Sequence, residues 1–362
     1  MTQPPPVPSR RELVRLAAIA IGAAAAPGAA GARSRAGAGD RLAPYRTPFK
    51  YGRFVLSPSG VAGSFDEKKV DGPFVFRHDD RFCMTYVGWD GTGYQTGLAE
   101  SDDLVTWRRR GVILARDPDD PVTRYNIASS GILREADLES PGRLLKVDGR
   151  YVCSWNAYPS AGYEEGAAVI GLATSADLIH WSRTRPILRP EDGADWERGG
   201  LYKSYLLRHD GLYYLFYNAK TVGSPWHEQI GVATSRDLET WHRRPGNPIL
   251  RNGVPGQSLD SRFASNPFVL RHGGEWATYY FGIGQDGHAR ELLALGDTPV
   301  SYRKVAEPMI DVGPPGSIDE KHAHKPSVIY HDGALYHFYC GVSGVWPDET
   351  RGITVARSRP WR

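Results

Sequence analysis

The sequence predicts an all-β chain: a five-bladed β-propeller, four antiparallel strands per blade, with the ring closed by an N-terminal strand. Three observations carry that prediction. Gly and Pro, at 41 and 27 of 362 residues, punctuate the chain too often for long helices to dominate. A polar turn followed by an aromatic strand recurs five times, and behind three of the copies stands the motif Gly-x-Ala-x-Ser-x-Asp-Leu-x-x-Trp.

The first 39 residues read as a leader. Arg10-Arg11 precedes an apolar run from Leu16 to Ala26 that is too short to span a bilayer, and Ala30-Gly31-Ala32 offers a small-residue cleavage site. This order predicts a twin-arginine-type signal and export to the periplasm or beyond, the alternatives being an unprocessed tail or a retained anchor. The leader holds five arginines and one glutamate, so the body, residues 40–362, is left with 39 basic and 40 acidic side chains. A body so balanced has no electrostatic footprint for nucleic acid, and with no run of 18 apolar residues it is expected to need no membrane. The three cysteines, Cys83, Cys153 and Cys340, are expected to be buried core residues and not a disulfide framework.

Within the body, the five turns are His78-Asp79-Asp80-Arg81-Phe82, Val147-Asp148-Gly149-Arg150-Tyr151, His209-Asp210-Gly211-Leu212-Tyr213, His272-Gly273-Gly274-Glu275-Trp276 and His331-Asp332-Gly333-Ala334-Leu335-Tyr336. Their aromatic markers lie 69, 62, 63 and 60 residues apart. Short apolar runs precede the turns, among them Pro73-Phe74-Val75-Phe76 and Pro267-Phe268-Val269-Leu270, so each turn is expected to close a β-hairpin. The run Gly97-Leu98-Ala99 and its equivalents at 171 and 231 supply a third strand. Ser-x-Asp-Leu is then a tight turn, and Trp107, Trp181 or Trp241 opens the fourth strand as a packing residue between blades. The fourth copy is degenerate around residues 292–302. In the fifth, residues 352–358 give the third strand, and residues 51–56 are expected to donate the fourth. Repeats of 60 residues or more exceed the roughly 20–45 of short solenoids, which favours a propeller over a solenoid or paired sandwiches.

In such a fold the segments entering each first strand converge on one funnel. They carry Asp71, Asn126, Tyr202-Lys203, Asp260 with Arg262-Phe263, and Glu320 with His322, His324 and Lys325; a further loop adds Trp226-His227-Glu228. Polar groups gathered at one face of a rigid scaffold favour binding or catalysis. Glycosidic hydrolysis needs one protonated and one ionised carboxyl, and carboxylates from different blades can meet that need.

Val70-Asp71-Gly72-Pro73, the Ser-x-Asp-Leu-x-x-Trp repeat and the fivefold spacing resemble the five-bladed propeller glycoside hydrolases, the family 43 arabinofuranosidase and xylosidase group and its relatives. The resemblance implies that Asp71 is the general base or nucleophile and Asp260 a supporting carboxylate. Asp71 stands one residue further from its proline than in that group. The general acid is less determined, because Ser265-Asn266-Pro267 stands where family 43 shows Glu-Gly-Pro. Glu228 is the first choice and Glu320 the second, with His322 and His324 open. Asn126, Tyr202, Lys203, Trp226, His227, Arg262, Phe263, His322, His324 and Lys325 are expected to bind substrate, with Lys203, Arg262 and Lys325 donating to sugar hydroxyls or to a substrate carboxylate. No cofactor is expected beyond a structural calcium ion or ordered water in the channel.

The resulting expectation is an exo-acting, inverting hydrolase that releases a terminal sugar, with a furanoside as one option, from an oligo- or polysaccharide. Phosphorolysis, transglycosylation and non-catalytic glycan binding are the alternatives. Replacing Asp71 is expected to cost rate while leaving the fold nearly untouched.

Overall fold

The computed structural model describes residues 40–361, so the leader lies outside the described residues. Among the described residues the helical pieces are three short 3-10 turns, and none is long and apolar enough to cross a membrane. Everything else regular is β, as the Gly and Pro content requires.

The strands in chain order are β1 (Phe49–Lys50), β2 (Lys69–His78), β3 (Arg81–Trp89), β4 (Tyr94–Ser101), β5 (Arg108–Leu114), β6 (Ala128–Ile132), β7 (Lys146–Val147), β8 (Arg150–Ala157), β9 (Val169–Ser175) and β10 (Trp181–Arg183). They continue with β11 (Gly200–His209), β12 (Leu212–Lys220), β13 (Glu228–Ser235), β14 (His242–Arg243), β15 (Phe263–His272), β16 (Glu275–Ile283), β17 (Ala289–Thr298), β18 (Ser301–Lys304), β19 (His322–His331), β20 (Ala334–Ser343) and β21 (Thr350–Arg357). Antiparallel ladders group them as β2-β3-β4-β5, β6-β8-β9-β10 with β7 beside β8, β11-β12-β13-β14, β15-β16-β17-β18 and β19-β20-β21-β1. Single parallel pairs, Glu228 with Phe263 and Ala289 with His322, stitch the last three groups together.

The turns form for local reasons. Asp79, Asp148, Asp210 and Asp332 take φ between 47° and 51°, the left-handed conformation that two-residue hairpins demand and Asp tolerates. In each Ser-x-Asp-Leu turn the Ser hydroxyl accepts the Leu amide, and the Asp carboxylate accepts the next two amides, as in Leu104 N to Ser101 Oγ at 2.9 Å and Val105 N to Asp103 Oδ1 at 2.8 Å. The following Trp donates Nε1 to the Leu carbonyl in all three copies. Trp107 also packs edge-on against Phe338 of β20, the inter-unit contact expected of it. The three cysteines are buried.

First strands meet at the centre. Phe74 of β2, Tyr205 of β11 and Phe268 of β15 are in mutual ring contact, with centroids 4.9–6.4 Å apart. The first and last groups share a core in which Val70, Val75 and Met84 pack with Ile329, Phe338 and Val355. The N-terminal segment does pair with β21, but its regular register is Phe49 to Arg357 and Lys50 to Ala356, with residues 51–56 contributing only separate hydrogen bonds and the Leu56–Ile353 bridge. The ladder lies just before the expected segment because Pro48 and Pro58 bracket this stretch and Gly52 breaks it at φ 76°.

Candidate active site

One backbone irregularity builds the site. Each first strand loses register with its neighbour near its start: between Asp71 and Phe74, Ser129 and Gly131, Tyr202 and Tyr205, Ser265 and Phe268, and His324 and Ser327. The residues extruded there are Gly72, Ser130, Lys203, Asn266 and Lys325. All five line one cavity of about 590 Å³. Gly72, Lys203, Asn266 and Lys325 sit at φ 48–69°, and for a lysine that conformation costs of order 1–3 kcal/mol, strain that clusters at functional sites. Pro73, Pro267 and Pro326 follow the bulges, where no ladder hydrogen bond is asked of them.

A second ring of positions lies at the start of the third strands. Pairing sets Gly231 opposite Tyr217 and Thr354 opposite Tyr339, so Glu228 of β13 and Arg351 of β21 are equivalent repeat positions. Both line a second cavity of about 380 Å³, together with Tyr163, Phe263, Phe281, His322 and His324. Glu164, Lys203 and Lys325 face both cavities.

Asp71 is buried, and its Oδ2 accepts hydrogen bonds from Lys325 Nζ and from Arg351 Nη1 at 2.7 Å, while its Oδ1 accepts the Gly72 amide at 2.8 Å. Burial opposes ionisation, but the two cations override it and hold the carboxyl well below the ordinary range. Arg351 is fixed in turn by Glu349, whose Oε1 accepts both Nε and Nη2 and which these cations lower to about 2 despite its burial. Lys69 completes this buried network through Glu349 and rests 3.7 Å above the Trp346 ring. Asp71 is thus a fixed negative charge.

Glu228 has a different setting. It is buried and accepts neutral donors, Trp226 Nε1 at 3.2 Å and Asn218 Nδ2 at 3.5 Å. The Tyr202 phenol is raised by burial and by this carboxylate. Two histidines add tautomers fixed by their partners. His322 accepts the Ala289 amide at Nδ1, 3.0 Å, so its proton is on Nε2. His324 meets the Cys340 carbonyl through Nδ1, 3.1 Å, so its proton is there, and burial keeps the ring neutral. Asp71, His324 and Cys340 bring ligand atoms within 4.8 Å of one another. Lys325 and Arg351 already occupy the Asp71 carboxylate, and their charge opposes a cation there.

The structure therefore gathers Asp71, Glu228, Lys203, Phe263, His322, His324 and Lys325 from the predicted set. It places the others elsewhere. Asp260 accepts the Tyr280 hydroxyl at 3.0 Å and pairs with Lys304, outside both cavities. The same acid, tyrosine and base recur as Asp66, Tyr86 and Arg109; Glu197, Tyr217 and Arg243; and Asp319, Tyr339 and Lys50, so Asp260 belongs to a repeated structural lock whose base is Lys304. Glu320 lies outside the cavities, accepting the Gly316 and Gly344 amides at 2.6 and 3.2 Å as a loop brace. Asn126 is spent on the Tyr94 amide and the Ser160 carbonyl, and His227 is exposed. Tyr202, Trp226 and Arg262 stand behind the walls, with Trp226 stacked on Phe263 and Arg262 over both rings. Glu164 and Arg351 belong to the site and are absent from the predicted set.

Comparison with known proteins bears on the fold and the family. The model of the glycosyl hydrolases family 32 N-terminal domain matches residues 134–295. A 1,2-beta-oligomannan phosphorylase of Thermoanaerobacter sp. (strain X514) is 28% identical over 155 residues, which are 41% of this chain and 43% of that protein, so the match spans less than half of the relative. Among solved structures, a complex of BT0996 with RGII superposes with a TM-score of 0.75 at 29% identity, covering 88% of this chain and 94% of the other. A structure named only as a glycoside hydrolase gives 0.74 at 28%, covering 87% and 93%. The chain resembles the propeller glycoside hydrolases, with a fold of the glycoside hydrolase and phosphorylase type.

Proposed function

We propose that the protein is a glycoside hydrolase that removes a terminal sugar from an oligo- or polysaccharide, on a five-bladed ring whose fifth unit is completed by β1. The observation that carries this reading is the pair of differently set carboxylates: Asp71, held ionised by two cations on the first cavity, and Glu228, held by neutral donors on the second, with Lys203, Lys325 and Glu164 facing both cavities. An ionised and a protonated carboxyl are what glycosidic cleavage requires.

In this reading Glu228 protonates the leaving oxygen. Asp71 orients the attacking water and opposes the positive charge that develops on the sugar; its ion pairs lower its basicity, so it acts more through charge and position than through proton affinity. Inversion needs room for a water between the two carboxyls, and in this reading the water sits between Asp71 and Glu228 where the two cavities meet. The reaction as written needs no cofactor. Export through the Arg10-Arg11 leader is part of the same proposal, because polymeric glycans are met outside the cell; the N-terminal residue of the secreted protein tests it.

Proton NMR during turnover of native glycans and aryl glycosides is the decisive experiment. The product is expected first as the anomer opposite to the substrate's, and Glu228→Gln is expected to lower kcat by about 10²–10⁴ on substrates with poor leaving groups, with far less effect on activated aryl leaving groups. First release of the same anomer would reject inversion. Full activity of Glu228→Gln on both substrate types would remove it as the acid. Phosphorolysis is the second reading, favoured by the cations Lys203, Lys325 and Arg351 on the second cavity; sugar phosphate formed only with added phosphate would establish it.

A further inference from the structure

Of the cations Lys69, Lys203, Lys325 and Arg351, three are matched by carboxylates. Lys325 and Arg351 meet Asp71, and Arg351 and Lys69 meet Glu349. Lys203 differs. Among the described residues its ammonium forms no ion pair; it lies 4.9 Å from the centre of the Tyr202 ring and 5.2 Å from that of Phe281. The backbone conformation that presents it is the strained one at the bulge, φ 48°, and the side chain faces both cavities. Burial and the neighbouring Lys325 push its pKa down, and Glu164, Glu228 and Asp71 offset this only in part. The ring of His322, with a proton on Nε2, lines the second cavity too.

A half-buried ammonium left without a counter-ion is costly unless the ligand supplies one. A sugar hydroxyl returns one neutral hydrogen bond; an oxyanion returns a charge-assisted one and neutralises the cation. We propose that Lys203 is a specificity-determining residue that receives a sugar carboxylate, and that the substrate is an acidic glycan with a uronic acid at the junction of the two cavities. This assignment rests on the hydrolase reading for its place in a reaction, but it makes a binding claim of its own.

The test uses the full-length protein with three probes: acidic oligosaccharides from uronate-containing plant and algal glycans, the same oligosaccharides after carboxyl reduction, and inorganic phosphate. Wild type is expected to favour an acidic member over its reduced partner by about 10- to 100-fold in kcat/KM, the size of a desolvated charged hydrogen bond. Lys203→Met is expected to bring that ratio near unity, and Lys203→Arg to keep part of it. Titration calorimetry with Glu228→Gln supplies a readout independent of turnover. A preference for reduced oligosaccharides, or an acidic preference that survives in Lys203→Met, overturns the assignment and leaves the hydrolase reading intact. Sugar phosphate released only with added phosphate, with Lys203→Met raising the KM for phosphate, overturns it by giving the ammonium to a free anion. Acidic oligosaccharides that bind through Lys203 but are never cleaved support the assignment and overturn the hydrolase reading alone.

Discussion

Asp71 shows how one side chain can hold two buried cations and still line a cavity. Its carboxylate compensates two buried cations, so Asp71→Asn does not leave the fold untouched, as the sequence suggested; it leaves Lys325 and the Arg351 Nη1 contact without their counter-charge. A buried pair broken on one side costs about 3–5 kcal/mol. Chemical denaturation of Asp71→Asn should show a loss of that order, and the rate of its folded fraction, measured well below its midpoint, should still fall by orders of magnitude. Retained turnover would remove Asp71 from the chemistry. The neighbouring Glu349 gives a pH signature. Its folded pKa, about 2, lies below its unfolded value, so the stability it lends is complete above about pH 4.5 and is lost as pH falls toward 2. Glu349→Gln should therefore lower Tm near neutrality, and the gap to wild type should narrow on acidification through that window. A gap independent of pH would show that folding leaves the Glu349 pKa unshifted, so that its ion pairs with Arg351 and Lys69 contribute nothing.

At the level of the element, legibility follows the locality of the interactions. The hairpin turns and the Ser-x-Asp-Leu turns could be read because their hydrogen bonds join residues two or three positions apart. The bulges could not be read, since they arise from register between strands, and lysine or asparagine at φ 48–69° carries no sequence mark. Arg351 was hidden by register as well: aligning Gly352 with Gly231 is two residues out, whereas the true match, Thr354 with Gly231, sets Arg351 beside Glu228. Glu164 lies on a loop outside the repeat. The acid and tyrosine of the lock lie 20 residues apart in each of its four copies and the base lies further off still, too far for local pattern to reveal, and this is why Asp260 read as catalytic. Tyr280→Phe removes one buried hydrogen bond from that lock; Tm should fall by an amount corresponding to about 1–2 kcal/mol, with kcat and KM unchanged. A changed KM would return Asp260 to the site.

At the scale of the whole molecule, the joins between groups decide whether the fold behaves as one body. The buried Arg134 donates Nη1 to the Val75 and Val328 carbonyls at 3.2 and 3.1 Å and so clamps β2 to β19. Between the fourth and fifth groups the buried Glu291 of β17 stands 3.8 Å from the buried His337 of β20, with no hydrogen bond to either side chain among the described residues. Burial raises the Glu291 carboxyl well above its ordinary value and lowers His337 to about 3, so the pair sits in the fold as a neutral acid beside a neutral imidazole. Within the fifth group β1 lies on β21, where Lys50 reaches the buried Asp319 at 2.7 Å and supplies from the N-terminal segment the base that the other locks take from their own fourth strand. If β1 completes the fifth unit of a ring, its loss weakens every unit through the shared core. Lys50→Met leaves the Asp319 charge buried against two neutral hydroxyls, those of Tyr339 and Ser317, and calorimetry should show one cooperative transition moved to lower temperature. Two separate transitions, with β19–β21 melting ahead of an unshifted remainder, would mean that the N-terminal strand secures one sheet and does not close the molecule. Hydrogen exchange reads the same distinction residue by residue: in a closed ring, the β21 amides that pair with β20 should be protected as strongly as those of β13, and Lys50→Met should lower protection in both.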